Sequence, residues 1–148
     1  SIHAFLYSDG ITRDLGTLGG PQSDAYAIND AGQVVGWAQT ASDATHAFLY
    51  SSGRMTDLGG YNIDTVAEAI NLSGTIVGQT YGVDATGAPF YHAFIYSGGR
   101  FQDLNSLVAP GFGWVLTDAT GINDSGQIVC DGYNSTNGQT HAFLLTAR

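Results

Sequence analysis

Four histidines fall at one position of an internal repeat: His3, His46, His92 and His141 each open a His-Ala-Phe tract. A ring of imidazoles facing a channel is one way to hold a transition metal. The same repeat carries an aspartate at Asp14, Asp57 and Asp103. A partly buried imidazole needs a hydrogen-bond partner, and a repeat carboxylate supplies one. A reactive site is generally built once, whereas scaffolding recurs. We therefore read the histidines and aspartates as structural pairs that lock each unit, and expect neither a metal nor a cofactor.

Other chemistry is thinly provided. Glycoside hydrolysis needs two carboxylates in different environments, but Glu68 is the only glutamate and most aspartates sit at repeat or turn positions. Cys130 is the only cysteine, so no intrachain disulfide can form. It stands where the other repeats have Gly36 and Gly78, which marks a tight position rather than a nucleophile. The turns Asn29-Asp30 and Asn123-Asp124 hold too few carboxylates for a calcium loop, and Leu72 interrupts the pattern between them. Asn71, Asn123 and Asn134 open glycosylation triplets, but Asn71 and Asn123 already have turn roles. The chain does not read as an enzyme.

The residues that do not repeat are the better candidates for contact with a ligand or another subunit. Trp37 and Tyr133 flank equivalent loops. The second period adds Tyr81, Phe90 and Tyr91, and the third an insertion from Val108 to Trp114 that includes Phe112. Aromatics on loops at one end of a repeat fold can stack on sugar rings, anchor a subunit contact or cap the hydrophobic layers.

The elements that position these residues follow from the repeat. The tract His3-Ala4-Phe5-Leu6-Tyr7-Ser8 returns at His46, His92 and His141 with a period of about 45 residues. Asp-Leu recurs in step at Asp14, Asp57 and Asp103. A third motif, Ile28-Asn29-Asp30-Ala31-Gly32-Gln33-Val34-Val35-Gly36, returns from Ile70 and from Ile122. Two hairpins per period are expected, one from His46–Tyr50 to Arg54–Leu58 and one from Ala67–Ile70 to Thr75–Gly78. Asn29, Asn71 and Asn123 open the second kind of turn with their side chains, and glycine closes it at positive φ. Four short strands in such a period make one β-propeller-like blade, while a β-solenoid or a stacked-sheet array would show similar facing. The fold expected is all-β, built of repeated four-stranded antiparallel sheets, with approximate repeats 3–45, 46–91 and 92–140 and a terminal strand 141–146.

Alternation assigns the faces. His46, Phe48 and Tyr50 share one side of their strand and Ala47 and Leu49 the other, so both faces are apolar. The strand Ala25–Asn29 is expected to place its small residues on one side, as are Ala67–Ala69 and Ala119–Gly121.

Composition agrees with sheets covered on both faces. The chain of 148 residues is 43% hydrophobic but only 11% charged, with 21 glycines. Its net charge is -9 and it has no lysine. Such a chain repels phosphate backbones and anionic lipid, which argues against nucleic-acid or membrane-surface binding. No segment is long and apolar enough to span a bilayer.

Three periods plus one strand are too few for a ring, since closed propellers hold about four to eight blades. The lone hairpin His3–Leu15 and the strand His141–Leu145 should both present unpaired strand edges, which are templates for another chain. Head-to-tail pairing then closes a ring if the rotation permits, most simply a dimer of six blades, or grows a filament if it does not. The third alternative is a piece of a longer repeat protein. The partner expected first is the chain itself, and carbohydrate is the second.

The His-Ala-Phe tract, the segment Asp14-Leu15-Gly16-Thr17-Leu18-Gly19-Gly20 and the Ile-Asn-x-x-Gly-Gln-Val-Val-Gly hairpin together resemble the bacterial extracellular HAF repeat family. The resemblance spans essentially the whole chain and implies secretion and a repeat fold. It brings no catalytic residues.

Overall fold

The computed structural model describes residues 1–60 and 63–147. Among the described residues, thirteen strands form four antiparallel sheets. The first holds β1 (Ala4–Ser8) and β2 (Ile11–Gly16). The second is the meander β3 (Gly19–Ile28), β4 (Val34–Thr40), β5 (Thr45–Ser51) and β6 (Arg54–Asp57). The third repeats it with β7 (Asp64–Ile70), β8 (Ile76–Val83), β9 (Pro89–Ser97) and β10 (Arg100–Asp103). The fourth has three strands, β11 (Val115–Ile122), β12 (Ile128–Asn134) and β13 (Gln139–Leu145). A 3-10 turn, Leu104–Ser106, follows β10.

This is the expected all-β fold of repeated, blade-like sheets. The His-Ala-Phe tract is the third strand of a full sheet, and the strand bearing the paired aspartate is the fourth. β1 and β2 are therefore a third and fourth strand, and β11 to β13 a first, second and third.

The sheets stack face to face, and one apolar layer fills each interface. Ala4, Leu15, Val34, Ala38 and Phe48 lie between the first and second sheets. Val35, Ala47, Leu58, Ala67, Ile70, Ile76 and Phe94 lie between the second and third. Val77, Ala93, Leu104, Leu116, Ala119, Ile128 and Cys130 lie between the third and fourth. Alternation explains the assignment: Phe48 faces the preceding sheet while its neighbour Ala47 faces the following one.

One expectation fails here. Ala25 and Ala27 do not share a side, because the pairing slips between them: Ala25 faces Gly36 but Ala27 faces Val35. The bulge leaves Tyr26 without a partner. It sends Ala25 to the first layer and Ala27 to the second. Glu68 and Thr120 are bulged in the same way in the third and fourth sheets. An extra residue on one strand reverses the alternation beyond it, so a period of two cannot be carried through.

The inner strands approach closely. A Cβ at Gly36 would run into the Asp24 carbonyl, and one at Gly78 into the Val66 carbonyl. Cys130 holds the same register, opposite Ala119, and is buried. Its sheet carries a further irregularity beside it, between Leu116 and Asp118. That displacement accompanies the one side chain tolerated at this position.

Gly78→Ala is expected to destabilise the fold by about 1–3 kcal/mol through overpacking against backbone. Urea unfolding should show a lower midpoint at an unchanged slope.

Candidate functional site

Three of the four histidines pair with the repeat aspartates. His3 Nδ1 lies 2.8 Å from Asp14 Oδ2, His46 Nδ1 2.9 Å from both oxygens of Asp57, and His92 Nδ1 2.6 Å from Asp103 Oδ2. An ionised carboxylate only accepts, so Nδ1 carries the proton in each pair. Each aspartate also accepts the backbone N–H two residues on, from Gly16, Gly59 and Asn105 at 2.7, 2.7 and 2.8 Å. The carboxylate thus ties the third strand of a sheet to the end of its fourth. The His3 hydrogen bond, and then the Gly16 N–H, hold the Asp14 carboxyl below the usual carboxylate range.

His141 has no carboxylate partner among the described residues, because its sheet has three strands. Its ring stacks instead on Trp114, with centroids 4.7 Å apart and planes at 30°. Among the described residues, no group of three or more His, Cys, Asp or Glu side chains is placed to hold a metal ion.

The three turn asparagines do more than close their turns. Asn29, Asn71 and Asn123 each accept through Oδ1 the N–H four residues on, from Gln33, Thr75 and Gln127 at 3.0, 2.9 and 2.9 Å. Gly32, Gly74 and Gly126 close the turns at φ of 75°, 80° and 78°. Each turn then reaches to the next sheet. Asn29 Nδ2 donates to the Asn71 carbonyl at 2.9 Å, and Asn71 Nδ2 donates to the Asn123 carbonyl at 3.1 Å. This ladder joins the second, third and fourth sheets. Sequence reasoning gave these residues turn roles only. The signal available was one asparagine kept in every period, which does not say where its second amide hydrogen points.

Buried hydroxyls make a second set of links between sheets. Ser23 Oγ accepts from the Ala4 N–H at 3.0 Å, and Thr65 Oγ1 from the Ala47 N–H at 2.8 Å. Asn105 binds both the N–H and the carbonyl of Leu116, at 2.7 and 2.9 Å. Three residue types fill comparable roles, so no repeated letter marked them.

The candidate aromatics divide into groups, and most lie on strands rather than loops. Trp37 is on β4, and its Nε1 donates to the Tyr26 hydroxyl at 3.2 Å. Tyr81 on β8 and Tyr91 on β9 are cross-strand neighbours with ring centroids 4.9 Å apart. The added residues of the second period lengthen the β8–β9 hairpin instead of forming a loop. Phe112 and Trp114 do lie in the loop before β11, and both pack edge-on against Phe143, at 5.4 and 5.3 Å. Phe90, Tyr91, Tyr133 and His92 line one open cleft of about 590 Å³ between the third and fourth sheets, with Gln79, Thr117 and Thr140 as polar neighbours. Trp37, Tyr81, Phe112 and Trp114 do not line it.

Two carboxylates sit unfavourably. Burial, and then the charge of Asp118, pushes the Glu68 carboxyl up. Burial, and then Asp131, pushes Asp118 up, and its buried Oδ1 has no hydrogen-bond partner among the described residues. Burial, with Asp131 and Asp118 adding to it, raises the Cys130 thiol to about 11. It is a protonated, inert side chain at neutral pH.

Asp57→Ala should cost about 1 kcal/mol. A double-mutant cycle with His46→Ala should assign most of that loss to the pair, read from urea midpoints. A carboxyl whose pKa is raised by folding opposes the native state when ionised, and the penalty disappears as pH falls below its ordinary value. Asp118→Asn should therefore raise the melting temperature at pH 7, by about 2–4 °C for each kcal/mol recovered. At pH 3 it should change little.

Comparison with family models, curated proteins and solved structures returns no match for this chain.

Proposed function

We propose that the chain is a structural rather than catalytic protein, an extracellular β-repeat module that associates with copies of itself through open strand edges and stacked sheets into a ring or filament. The placement outside the cell follows from the resemblance of its three motifs to the HAF repeat family.

One observation carries the assembly reading. Equivalent residues are covered in the inner sheets and bare on the outer ones. Phe48 and Phe94 are wholly buried, while Phe5 is 64% exposed. Leu49 and Ile95 pack against the layers that follow their sheets, while Leu144 is 63% exposed. The exposed side of the first sheet is the side that elsewhere meets a preceding sheet. The exposed side of the last is the one that elsewhere meets a following sheet. The two exposed sides are of opposite kinds rather than alike, which makes the contact between copies heterologous. Among the described residues, β1 and β13 each also have one edge with no strand neighbour.

Phe5→Ser should leave the monomer folded, because the ring is mostly solvated, and should weaken association about tenfold or more. Sedimentation velocity across a concentration series measures this. A wild-type chain that stays folded and monomeric throughout overturns the proposal.

The cleft of Phe90, Tyr91 and Tyr133 favours a second reading, a glycan-binding module, since aromatic faces beside amide and hydroxyl groups suit sugar rings. It predicts saturable binding to an oligosaccharide array that Tyr91→Ala removes. An array without hits overturns it.

A further inference from the structure

We propose that the asparagine ladder continues between molecules: the Asn123 turn of one copy docks on the Asn29 turn of a second, with Asn123 Nδ2 donating to the Asn29 carbonyl and the Asp124 N–H donating to the Asp30 carboxylate. The inference rests on the self-assembly reading above and names its register.

The rungs within one molecule define what each open end accepts. Asn29 Nδ2 uses both hydrogens, one on Gln33 Oε1 at 2.8 Å and one on the Asn71 carbonyl. Asn123 Nδ2 repeats the first bond, to Gln127 Oε1 at 2.8 Å, and its second hydrogen has no acceptor among the described residues. The acceptor side mirrors this. The carbonyls of Asn71 and Asn123 each take two donors, the glycine N–H of their own turn and the preceding asparagine. The Asn29 carbonyl takes Gly32 N–H at 2.9 Å and keeps a lone pair open.

The neighbouring residue agrees. The Leu72 N–H donates to Asp124 Oδ1 at 2.8 Å, across the same interface as the second rung. One interface earlier the acceptor position is Leu72 itself, whose side chain has no polar atom to offer. One interface later, the Asp124 N–H has no acceptor among the described residues. Asp30, the residue equivalent to Leu72 and Asp124, supplies one from a second copy. One end is thus all donor and the other all acceptor.

The apolar residues beside the turns are divided in the same sense. Ile70 is 8% exposed and Ile122 packs on the layer before it, while Ile28 is 58% exposed. Val35 and Val77 are buried, while Val129 is 48% exposed. Inside the molecule Val77 and Ile122 share a layer, as do Val35 and Ile70. Val129 of one copy and Ile28 of the next complete that series.

Docking in this register brings β1–β2 of the second copy into the layer of β11–β12 of the first. β1 and β13 carry the same tract and claim the same place beside β12. β1 arrives with its histidine held by Asp14, and Phe5 gains the cover that Phe48 and Phe94 have. β13 offers a histidine without a carboxylate and an exposed Ala142 where Ala47 and Ala93 are buried. β1 therefore displaces β13.

Asp30→Leu and Asp30→Asn test the register by sedimentation velocity, with circular dichroism to confirm folding. Leucine is the residue found at position 72, so the turn tolerates it. We expect Asp30→Leu to weaken association about 10- to 100-fold and Asp30→Asn, which keeps an acceptor oxygen, to stay within a few-fold of wild type. Both variants remove one negative charge from a chain of net charge -9. Relief of repulsion alone would strengthen both. Assembly unaffected by Asp30→Leu overturns the ladder but leaves self-association standing; a monomeric wild type overturns both. Hydrogen exchange on the assembly should show amides 4–8 gaining protection and amides 139–145 losing it. The opposite pattern overturns the strand exchange.

Discussion

Each described sheet has two apolar faces, and each inner one buries both against a neighbour. That single constraint organises the rest. Low charge is affordable because little of an inner sheet meets solvent. Within each sheet, glycine recurs at Gly36 and Gly78 because the bulged neighbouring strand turns its Asp24 or Val66 carbonyl into the space a Cβ would take. Alternating side chains fill the layer before a sheet and the layer after it, so the packing of each sheet depends on both neighbours.

Polar groups set the register of this stack. Apolar layers resist separation but slide easily, since burial has little directional preference. Two kinds of hydrogen bond remove the freedom to slide, and a third keeps each sheet whole. The histidine–aspartate pairs hold the third and fourth strands of a sheet together. The Ser23 and Thr65 hydroxyls and the Asn105 amide fix one sheet on the next. The asparagine ladder aligns the turns along one end of the stack. Each contributes modestly alone, and their value lies in rejecting neighbouring registers.

Much of this was legible in the residues. The periodic His-Ala-Phe and Asp-Leu motifs identified the sheets, and Asn with Gly located the turns. The facing of Phe48 against Ala47 and Leu49 followed from simple alternation. Three things were hidden, each for a physical reason. The bulges at Tyr26, Glu68 and Thr120 insert one residue into a regular count, and no residue type announces an insertion. The aromatics at Tyr81 and Tyr91 were expected on loops because they fall outside the repeat, yet a hairpin can absorb extra residues by growing longer. The links between sheets were invisible because hydrogen-bond partners lying a whole period apart have unrelated neighbours in the chain.

The bulged position has an implication for how such chains diversify. It is held outside the pairing ladder in all three sheets, and it is tyrosine in one, glutamate in another and threonine in the third. Residues on either side are bound to small or aliphatic types by the crowding of adjacent layers. This one is released from that selection in every unit and lies at the same height in each. Duplicated modules can therefore drift apart in chemistry along a single aligned row while the framework that carries it stays the same.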